Sequence, residues 1–209
     1  MEKLKYRLQL QKEKKIMTKG KLKKTGIGIE KRPDILENQV KSKNIFLSLG
    51  SNLDSKFGSR LKNLEIAQML ILSKNIDIID RSSYYETLSY PNKKDPKFIN
   101  CVIKVHTNLT PNNLLNIILN IEKEIGRKRN KKNEPRVCDI DILDYKGKLI
   151  RSNNCYNLTI PHHFLHHRHF VLIPLAEICP DWVHPKFKVK INFLLDKLNS
   201  RDLNYIKKI

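Results

Sequence analysis

Residues 137–143 constrain the fold most, because apolar and acidic side chains alternate along them. If the segment is a strand, Asp139 and Asp141 lie on one face and the apolar side chains lie on the other. Two residues of rise would separate the carboxylates by roughly 6.6 Å. Such a pair suits Mg²⁺, which takes its other ligands from water and substrate phosphates. The segment therefore predicts a half-buried strand whose polar face can bind a cation.

A cationic loop comes directly before this strand. Residues 127–136 contain six Lys or Arg residues and one acid, Glu134. Guanidinium groups bind phosphate oxygens in pairs, so a Mg²⁺-nucleotide could be held between the loop and the strand. A strand face with two Asp beside a Lys-rich loop is also a common solvated edge, where ion pairs contribute little. On these residues alone, both interpretations remain open.

The charge of the chain adds a second class of function. The formal net charge is +20 over 209 residues, which favours nucleic-acid binding because Lys and Arg neutralise phosphates. Residues 1–43 hold +9 of that charge and few large apolar side chains. We therefore expect a disordered basic extension over 1–43, with Met17 as an alternative start, and one folded domain over 44–209.

Three absences in the sequence narrow the class of protein. No apolar run reaches 18 residues, so we expect no membrane span. The four cysteines are isolated, without a C-x-x-C pair, which argues against a zinc ribbon or a disulfide framework and favours a reducing cytoplasm. Residues 162–169 contain five histidines, but no neighbouring Cys or acid completes a zinc site.

The remaining patterns predict, from residue 44 onward, the order strand, helix, strand, strand, helix, strand. The first helix is expected to begin at Asp54 or Ser55, and the second runs from Thr110 to a stop at Gly126. This order indicates an α+β fold, a ferredoxin-like sandwich in which helices cover one face of an antiparallel sheet. Residues 149–150 are predicted to add a hairpin partner for the 139–143 strand.

Several short motifs occur in a fixed order between residues 44 and 185. They are Leu49-Gly50-Ser51-Asn52-Leu53, Ser82-Ser83-Tyr84-Tyr85-Glu86-Thr87, Phe98-Ile99-Asn100, Gly126-Arg127-Lys128-Arg129, Pro135-Arg136-Val137-Cys138-Asp139-Ile140-Asp141, Ile160-Pro161-His162 and Arg168-His169-Phe170. Together they resemble the 6-hydroxymethyl-7,8-dihydropterin pyrophosphokinase family of folate synthesis.

The resemblance implies transfer of a pyrophosphoryl group from ATP to the hydroxymethyl oxygen of the pterin, with AMP leaving. By position, Asp139 and Asp141 resemble the ligands of two Mg²⁺ ions, and Arg127 and Arg136 resemble catalytic arginines. The residues that resemble ATP contacts are Glu122, Arg129, Ile142, Thr159, His162, His163 and Arg168. The residues that resemble the pterin pocket are Thr87, Leu88, Tyr90, Phe98, Asn100 and Phe170. We expect a cytoplasmic monomer with these two small substrates, and neither a membrane nor a nucleic acid as partner.

Three positions depart from the family pattern. Lys132-Asn133-Glu134 stands where the family commonly has Arg-Trp-Gly, so an aromatic cover over the pterin and a flexible glycine are missing. Leu88 replaces a proline, and Leu119 replaces a polar nucleotide contact. Because the metal and arginine positions are kept, we expect an active enzyme, and the departures predict that it stacks on the pterin more weakly than its relatives do. A nucleic-acid-binding module and a relative that binds nucleotide without catalysis are the alternatives.

Overall fold

An antiparallel sheet is the central element of the part of the chain that the structure describes. The computed structural model describes residues 44–128, 134–151, 158–199 and 203–209. The compact unit that contains them spans Lys41–Ile209. The predicted extension over 1–43, including Met17, lies outside the described residues.

The described elements follow the predicted order, with a few additions at the carboxyl end. They are β1 (Ile45–Ser51), α1 (Arg60–Ser73), β2 (Asp77–Arg81), β3 (Tyr85–Thr87), β4 (Phe98–His106), α2 (Pro111–Ile125), β5 (Asp139–Tyr145), β6 (Ile150–Arg151), β7 (Thr159–Ile160), a short 3-10 helix (Leu165–His167), α3 (His169–Ile178), α4 (Ile191–Asp196) and β8 (Lys207–Lys208). None of these helices is long and apolar enough to cross a lipid bilayer.

The main sheet has the order β5-β1-β4-β3-β8, with β2 also paired to β4. The strands β1, β2, β3 and β5 all pair antiparallel with their neighbours, so the predicted α+β class with an antiparallel sheet is confirmed. The predicted strand over 76–87 is divided in two. Arg81 pairs with Ile103 and Tyr85 with Asn100, so three residues of one strand face two of the other, which is a β-bulge.

One face of the sheet packs against α1 and α2. Successive strand residues point to opposite faces, so Leu47, Ile103 and Ile140 share this face. They are buried together with Leu64 of α1 and Ile118 of α2 in one hydrophobic cluster. The burial of Ile140, Ile142 and Cys138 confirms that the apolar side of the 137–143 pattern faces the core.

The opposite face is covered as well, and the expectation of helices on one face alone is wrong. Phe46, Val102 and Leu143 point to this second face and are buried with Leu172 of α3 and Ile191 of α4. The cause is the apolar character of α3, which buries Val171, Leu172, Pro174 and Leu175. These helices cover one end of the second face, and Asn100, Asp139 and Asp141 lie on the same face toward its other end.

The ends of the first two helices depend on short polar side chains. Thr110 accepts the Asn113 N–H and Gly126 ends α2 in the left-handed conformation, with φ at 110°, as predicted. For α1, Ser59 is the N-cap and accepts the Lys62 N–H, and Asp54, one of the two predicted caps, accepts the Arg60 N–H at the first residue of the helix. Ser55 is instead part of a preceding turn, where it pairs with Gly58.

The hairpin predicted for residues 149–150 is also wrong in its partner. β6 pairs with β7, with Ile150 opposite Ile160 and Arg151 opposite Thr159. Lys146 and Gly147 do form the expected turn, with φ of 56° and 65°. Ile150 then packs on the first hydrophobic cluster, which contains Ile160, so its burial favours pairing with β7.

Candidate active site

Three neighbouring strands bring Gly50, Asn100 and Asp139 side by side. Gly50 of β1 is paired with Asn100 of β4 on one side and with Asp139 of β5 on the other. A Cβ atom at Gly50 would lie 3.0 Å from Asn100 Oδ1 and 3.4 Å from the Phe98 ring. A side chain at residue 50 would therefore push against both, so the glycine keeps this part of the sheet face open.

The end of α2 places Arg127 beside the first aspartate. The N–H of Gly126 bonds to Lys123 O and that of Arg127 to Glu122 O, which reverses the chain in a Schellman motif. Arg127 Nη1 then lies 2.5 Å from Glu122 Oε1 and 2.5 Å from Asp139 Oδ1. Glu122 Oε1 also accepts the Ile140 N–H at 2.8 Å. Glu122 is therefore a buried link between helix, arginine and sheet edge, and not a solvated helix residue.

The second arginine reaches Asp139 from the other end of the cationic loop. Arg136 Nη2 lies 2.7 Å from Asp139 Oδ2. Its guanidinium carbon lies 5.2 Å from the centre of the Phe98 ring, a cation–π distance. Both oxygens of one carboxylate are thus bonded by arginines that come from opposite sides.

These contacts set the charge state of the group. Burial alone would raise the pKa of Asp139, but Arg136 and Arg127 outweigh it and lower that pKa below its usual value. Burial would lower the pKa of Arg127, whereas Asp139 and Glu122 raise it. Asp139 is therefore ionised and Arg127 charged at neutral pH.

Asp141 stands next along the strand and faces a cleft. Its Oδ2 lies 3.4 Å from Arg168 Nη1 and 3.8 Å from His162 Nε2. Burial, more than any neighbouring charge, lowers the pKa of His162. The cleft has a volume of about 640 Å³ and lies between α2, β5 and residues 158–163.

Most of the predicted ATP contacts line this cleft. The predicted ATP contacts in its lining are Glu122, Ile142, Thr159, His162 and His163. The predicted catalytic residue Arg127 and the predicted metal ligand Asp141 also line it. Leu119, the predicted departure, lies in the same wall. Arg168 contacts Asp141 without lining the cleft. Arg129, the remaining predicted contact, lies outside the described residues, as do Lys132 and Asn133.

The predicted pterin residues are only partly brought together. Asn100 Nδ2 donates to Thr87 Oγ1 at 2.9 Å, and both side chains are buried. The Phe98 ring packs against the Arg136 guanidinium, and the centre of the Phe170 ring lies 5.6 Å from the guanidinium carbon of Arg168. Tyr90 is 83% exposed, so it forms no wall of a closed pocket in this structure. Leu88 is half-buried.

Two buried residues of the neighbourhood were not among the predicted site residues. Asn52 and Ser89 are 2% and 4% exposed and hydrogen bond to each other. The signal for Asn52 was its place directly after an apolar strand, in a turn that joins the sheet face to a loop. Ser89 carried no signal, because a serine between Leu88 and Tyr90 is ordinary in a loop.

The donor set of Asp139 and Asp141 fits Mg²⁺ in kind. Each carboxylate oxygen has two lone pairs, so Asp139 keeps acceptor capacity beyond its arginine bonds. Across the described ranges, no group of three or more His, Cys, Asp and Glu residues could enclose a metal. A hard cation here would complete its shell with water and phosphate oxygens, as Mg²⁺ commonly does.

The fold and site define an α+β protein with paired carboxylates, converging arginines and a cleft large enough for a nucleotide. The family model described as 7,8-dihydro-6-hydroxymethylpterin-pyrophosphokinase (HPPK) matches residues 46–180. The chain therefore belongs to the HPPK family, and this match does not favour the alternative of a nucleic-acid-binding module.

Similar proteins support this membership. A 2-amino-4-hydroxy-6-hydroxymethyldihydropteridine pyrophosphokinase of Methylorubrum extorquens is 38% identical over 138 residues, or 66% of this chain and 84% of its own length. That of Aquifex aeolicus is 38% identical over 144 residues, 69% and 85% of the two chains. The folic acid synthesis protein FOL1 of Dictyostelium discoideum is 37% identical over 155 residues, 74% of this chain. The present chain spans only 22% of that longer protein.

Solved structures share the fold. A Plasmodium falciparum HPPK-DHPS with two substitutions has a TM-score of 0.59 at 18% identity, and covers 83% of this chain and 48% of its own. A triple mutant of the same protein has a TM-score of 0.57 at 19% identity, with 78% and 44% covered. Identities this low are evidence for the fold alone.

Proposed function

We propose that the chain transfers the pyrophosphoryl group of ATP to the hydroxymethyl oxygen of 6-hydroxymethyl-7,8-dihydropterin, releases AMP, and so serves folate synthesis. Membership of the HPPK family supports the reaction. One observation carries the assignment to this site: Arg127 and Arg136 both bond to Asp139, while Asp141 beside it faces the cleft. Four charged groups that phosphate chemistry requires thus converge at one point.

Asp139 and Asp141 would hold two Mg²⁺ ions, since the carboxylates share one strand face and retain free lone pairs. Bound there, the ions would supply charge neutralisation for the phosphates and for the entering and leaving oxygens. Arg127 and Arg136 already touch Asp139, so small side-chain movements would bring their remaining N–H groups to phosphate oxygens. The described site residues need only position and neutralise charge, because phosphoryl-type transfer requires no covalent help from the protein.

The two substrates would occupy separate subsites on either side of the carboxylates. ATP would occupy the 640 Å³ cleft that most of the predicted nucleotide contacts line. The pterin would lie at the other side, with its ring against Phe98 and its edge on Asn100 and Thr87. Asn100 can both donate and accept, as recognition of a flat heterocycle requires. Phe170 would approach from α3, and the missing aromatic cover would make this stacking weak.

The proposal also covers the fold, the cellular location and the oligomeric state. The order β5-β1-β4-β2/β3, with α1 and α2 on one face, supports a ferredoxin-like core. We further propose a cytoplasmic monomer preceded by a basic extension over 1–43, with no nucleic-acid partner.

The test is AMP release from ATP, Mg²⁺ and 6-hydroxymethyl-7,8-dihydropterin by the purified full chain. Asp139→Asn and Asp141→Asn should each lower the turnover rate by at least about a hundredfold, because an amide loses the charge that holds Mg²⁺. Asp77→Asn is the matched control, since Asp77 is exposed on β2. A folded wild-type chain that forms no AMP, or an Asp141→Asn variant as fast as wild type, would contradict the proposal.

A relative that binds nucleotide without catalysis requires its own experiment. Titration calorimetry with a nonhydrolysable ATP analogue and Mg²⁺ measures binding apart from turnover. Binding without AMP release would assign the chain to that alternative, whereas binding with release agrees with the enzyme.

A further inference from the structure

Asn52 joins three segments that are distant in sequence. It follows the last residue of β1, and its side chain is 2% exposed. It contacts residue 136, which ends the cationic loop, and residues 89 and 96 of the loop between β3 and β4. This loop contains the predicted pterin residues Leu88 and Tyr90 and leads directly to Phe98.

Toward the arginine, Asn52 bonds to both polar backbone groups of Arg136. Its side-chain Oδ1 accepts the backbone N–H of Arg136 at 2.6 Å, and its backbone N–H donates to Arg136 O at 3.0 Å. Leu53 N also donates to Arg136 O, at 3.3 Å. The backbone of Arg136 is therefore fixed to the end of β1, which restricts where its guanidinium can reach.

Toward the other loop, the amide nitrogen of the same side chain is the donor. Asn52 Nδ2 lies 3.3 Å from Ser89 Oγ and 3.1 Å from Pro96 O. Ser89 Oγ itself donates to Pro96 O at 2.5 Å. These bonds close the two ends of residues 89–96 against one another and against Asn52.

We propose that Asn52 is a positioning residue that couples the 88–97 loop to the placement of Arg136. The inference rests on the proposed function, because it assigns Arg136 to phosphate and the loop to the pterin. Ordering of the loop around a pterin would fix the Asn52 amide, and the same amide fixes the Arg136 peptide. Pterin binding on one side of Asp139 would thereby affect the position of Arg136 on the other side.

The chemistry of the position explains why an asparagine stands there. The Arg136 N–H requires an acceptor, and Pro96 O requires a donor, from one buried side chain. An amide supplies both, whereas a carboxylate supplies acceptors only and a methyl group supplies neither. Asn52→Asp therefore keeps the side-chain acceptor for the Arg136 N–H and loses the donor to Pro96 O, and Asn52→Ala loses both of these side-chain bonds.

Steady-state kinetics measure the coupling. Asn52→Ala should lower kcat for AMP release about tenfold or more and leave the KM for ATP within about twofold, since Asn52 does not line the ATP cleft. Asn52→Asp should chiefly raise the KM for the pterin, by about fivefold. Asn113→Ala and Asn113→Asp, on the exposed surface of α2, are the matched controls. Unchanged kcat in a folded Asn52→Ala variant would overturn the inference.

Hydrogen exchange provides a measurement that does not need turnover. Ser89→Ala alters only the loop side, yet it should speed amide exchange in residues 134–138 as well as in 88–97, and lower kcat about threefold. A purely local role for Ser89 would leave 134–138 unchanged, and that result would refute the coupling. If exchange is coupled but the wild type releases no AMP, the proposed function fails and the link between the segments stands.

Discussion

The Arg136 guanidinium lies 5.2 Å above the ring of Phe98, the ring proposed to stack on the pterin. The same guanidinium donates to Asp139. In this structure, Arg136 therefore occupies one face of the Phe98 ring, and a pterin that stacks on this face would have to replace the arginine. Movement of Arg136 away from Phe98 and toward phosphate would accompany pterin binding.

Replacement of this ring should affect the pterin more than the nucleotide. We expect Phe98→Leu to raise the KM for the pterin about fivefold, because aromatic stacking contributes about 0.5–1.5 kcal/mol beyond burial. The KM for ATP should stay within about twofold, since Phe98 does not line the cleft. Steady-state kinetics with each substrate varied would measure both, and Phe193→Leu, exposed on α4, is the control. A larger effect on ATP than on the pterin would contradict this arrangement.

The Arg127–Glu122 pair should contribute to stability as well as to catalysis. Glu122 is buried, and Arg127→Ala would remove its nearby positive charge, at a cost of about 3 kcal/mol in the free energy of unfolding. Glu122→Gln in the same chain should recover part of the loss, because a neutral amide is easier to bury. Urea unfolding would measure both variants. Lys128→Ala, at the exposed neighbouring residue, should cost at most about 0.5 kcal/mol, and an equal cost for Arg127→Ala would refute the prediction.

Glu177 should make the fold sensitive to acid. Burial would raise the pKa of Glu177, but hydrogen bonds from Ser83, Lys208 and Tyr85 lower it to about 2. A depressed folded-state pKa means that the stabilisation is present above the unfolded pKa near 4.5 and is lost as the pH falls toward about 2. We expect Glu177→Gln to cost about 1–2 kcal/mol at neutral pH, after allowance for partial exposure, and much less at about pH 3. Urea unfolding at both pH values, with Glu124→Gln as an exposed control, would test this.

Protonation of His184 should lower the stability of the fold, at a higher pH than protonation of Glu177 does. Burial, with smaller contributions from His166 and Lys186, lowers the pKa of His184 to about 4. Its Nδ1 accepts the Lys186 and Phe187 N–H groups, so the native state binds the neutral ring. The unfolded ring protonates near pH 6.5, and stability is therefore lost as the pH falls from there toward about 4.

Between about pH 7 and pH 5, this loss should approach 2 kcal/mol. His184→Asn keeps an acceptor for the two N–H groups and cannot protonate, so it should flatten the dependence. Urea unfolding at both pH values would measure the difference between the two proteins. Equal slopes for the variant and the wild type would show that His184 is not the group responsible.

Local signals in the sequence were sufficient for much of the fold. The alternation of 137–143 and the Thr110, Pro111 and Gly126 boundaries depend on neighbours in the chain, and both predictions are confirmed. The covering of the second sheet face, the β6–β7 pairing and the Ser59 cap were missed. The first two depend on which distant apolar surfaces meet, and the cap depends on which of several nearby polar residues adopts the required backbone.

In the candidate site too, local features could be predicted from the sequence and contacts between distant residues could not. The shared face of Asp139 and Asp141 follows from the period of a strand, so the sequence was enough to predict it. The two arginine bonds to Asp139 involve the far ends of a loop, and the resemblance suggested the residues without their contacts. The Asn52 contacts could not be predicted, because they join residues 37 or more positions apart that no periodicity relates.

The arginine and carboxylate contacts have one further consequence, for how the site meets its ligands. Among the described residues, Glu122, Asp139 and Asp141 are matched by Arg127, Arg136 and Arg168, so their formal charges cancel. Within a chain of net charge +20, this point is locally neutral. The surrounding lysines can attract a nucleotide from a distance, with a strength that salt reduces. When the bound nucleotide reaches the site, its phosphates and Mg²⁺ ions would replace the ion pairs between these arginines and carboxylates. The net charge of the site would change little in this step, so salt should have little influence on it.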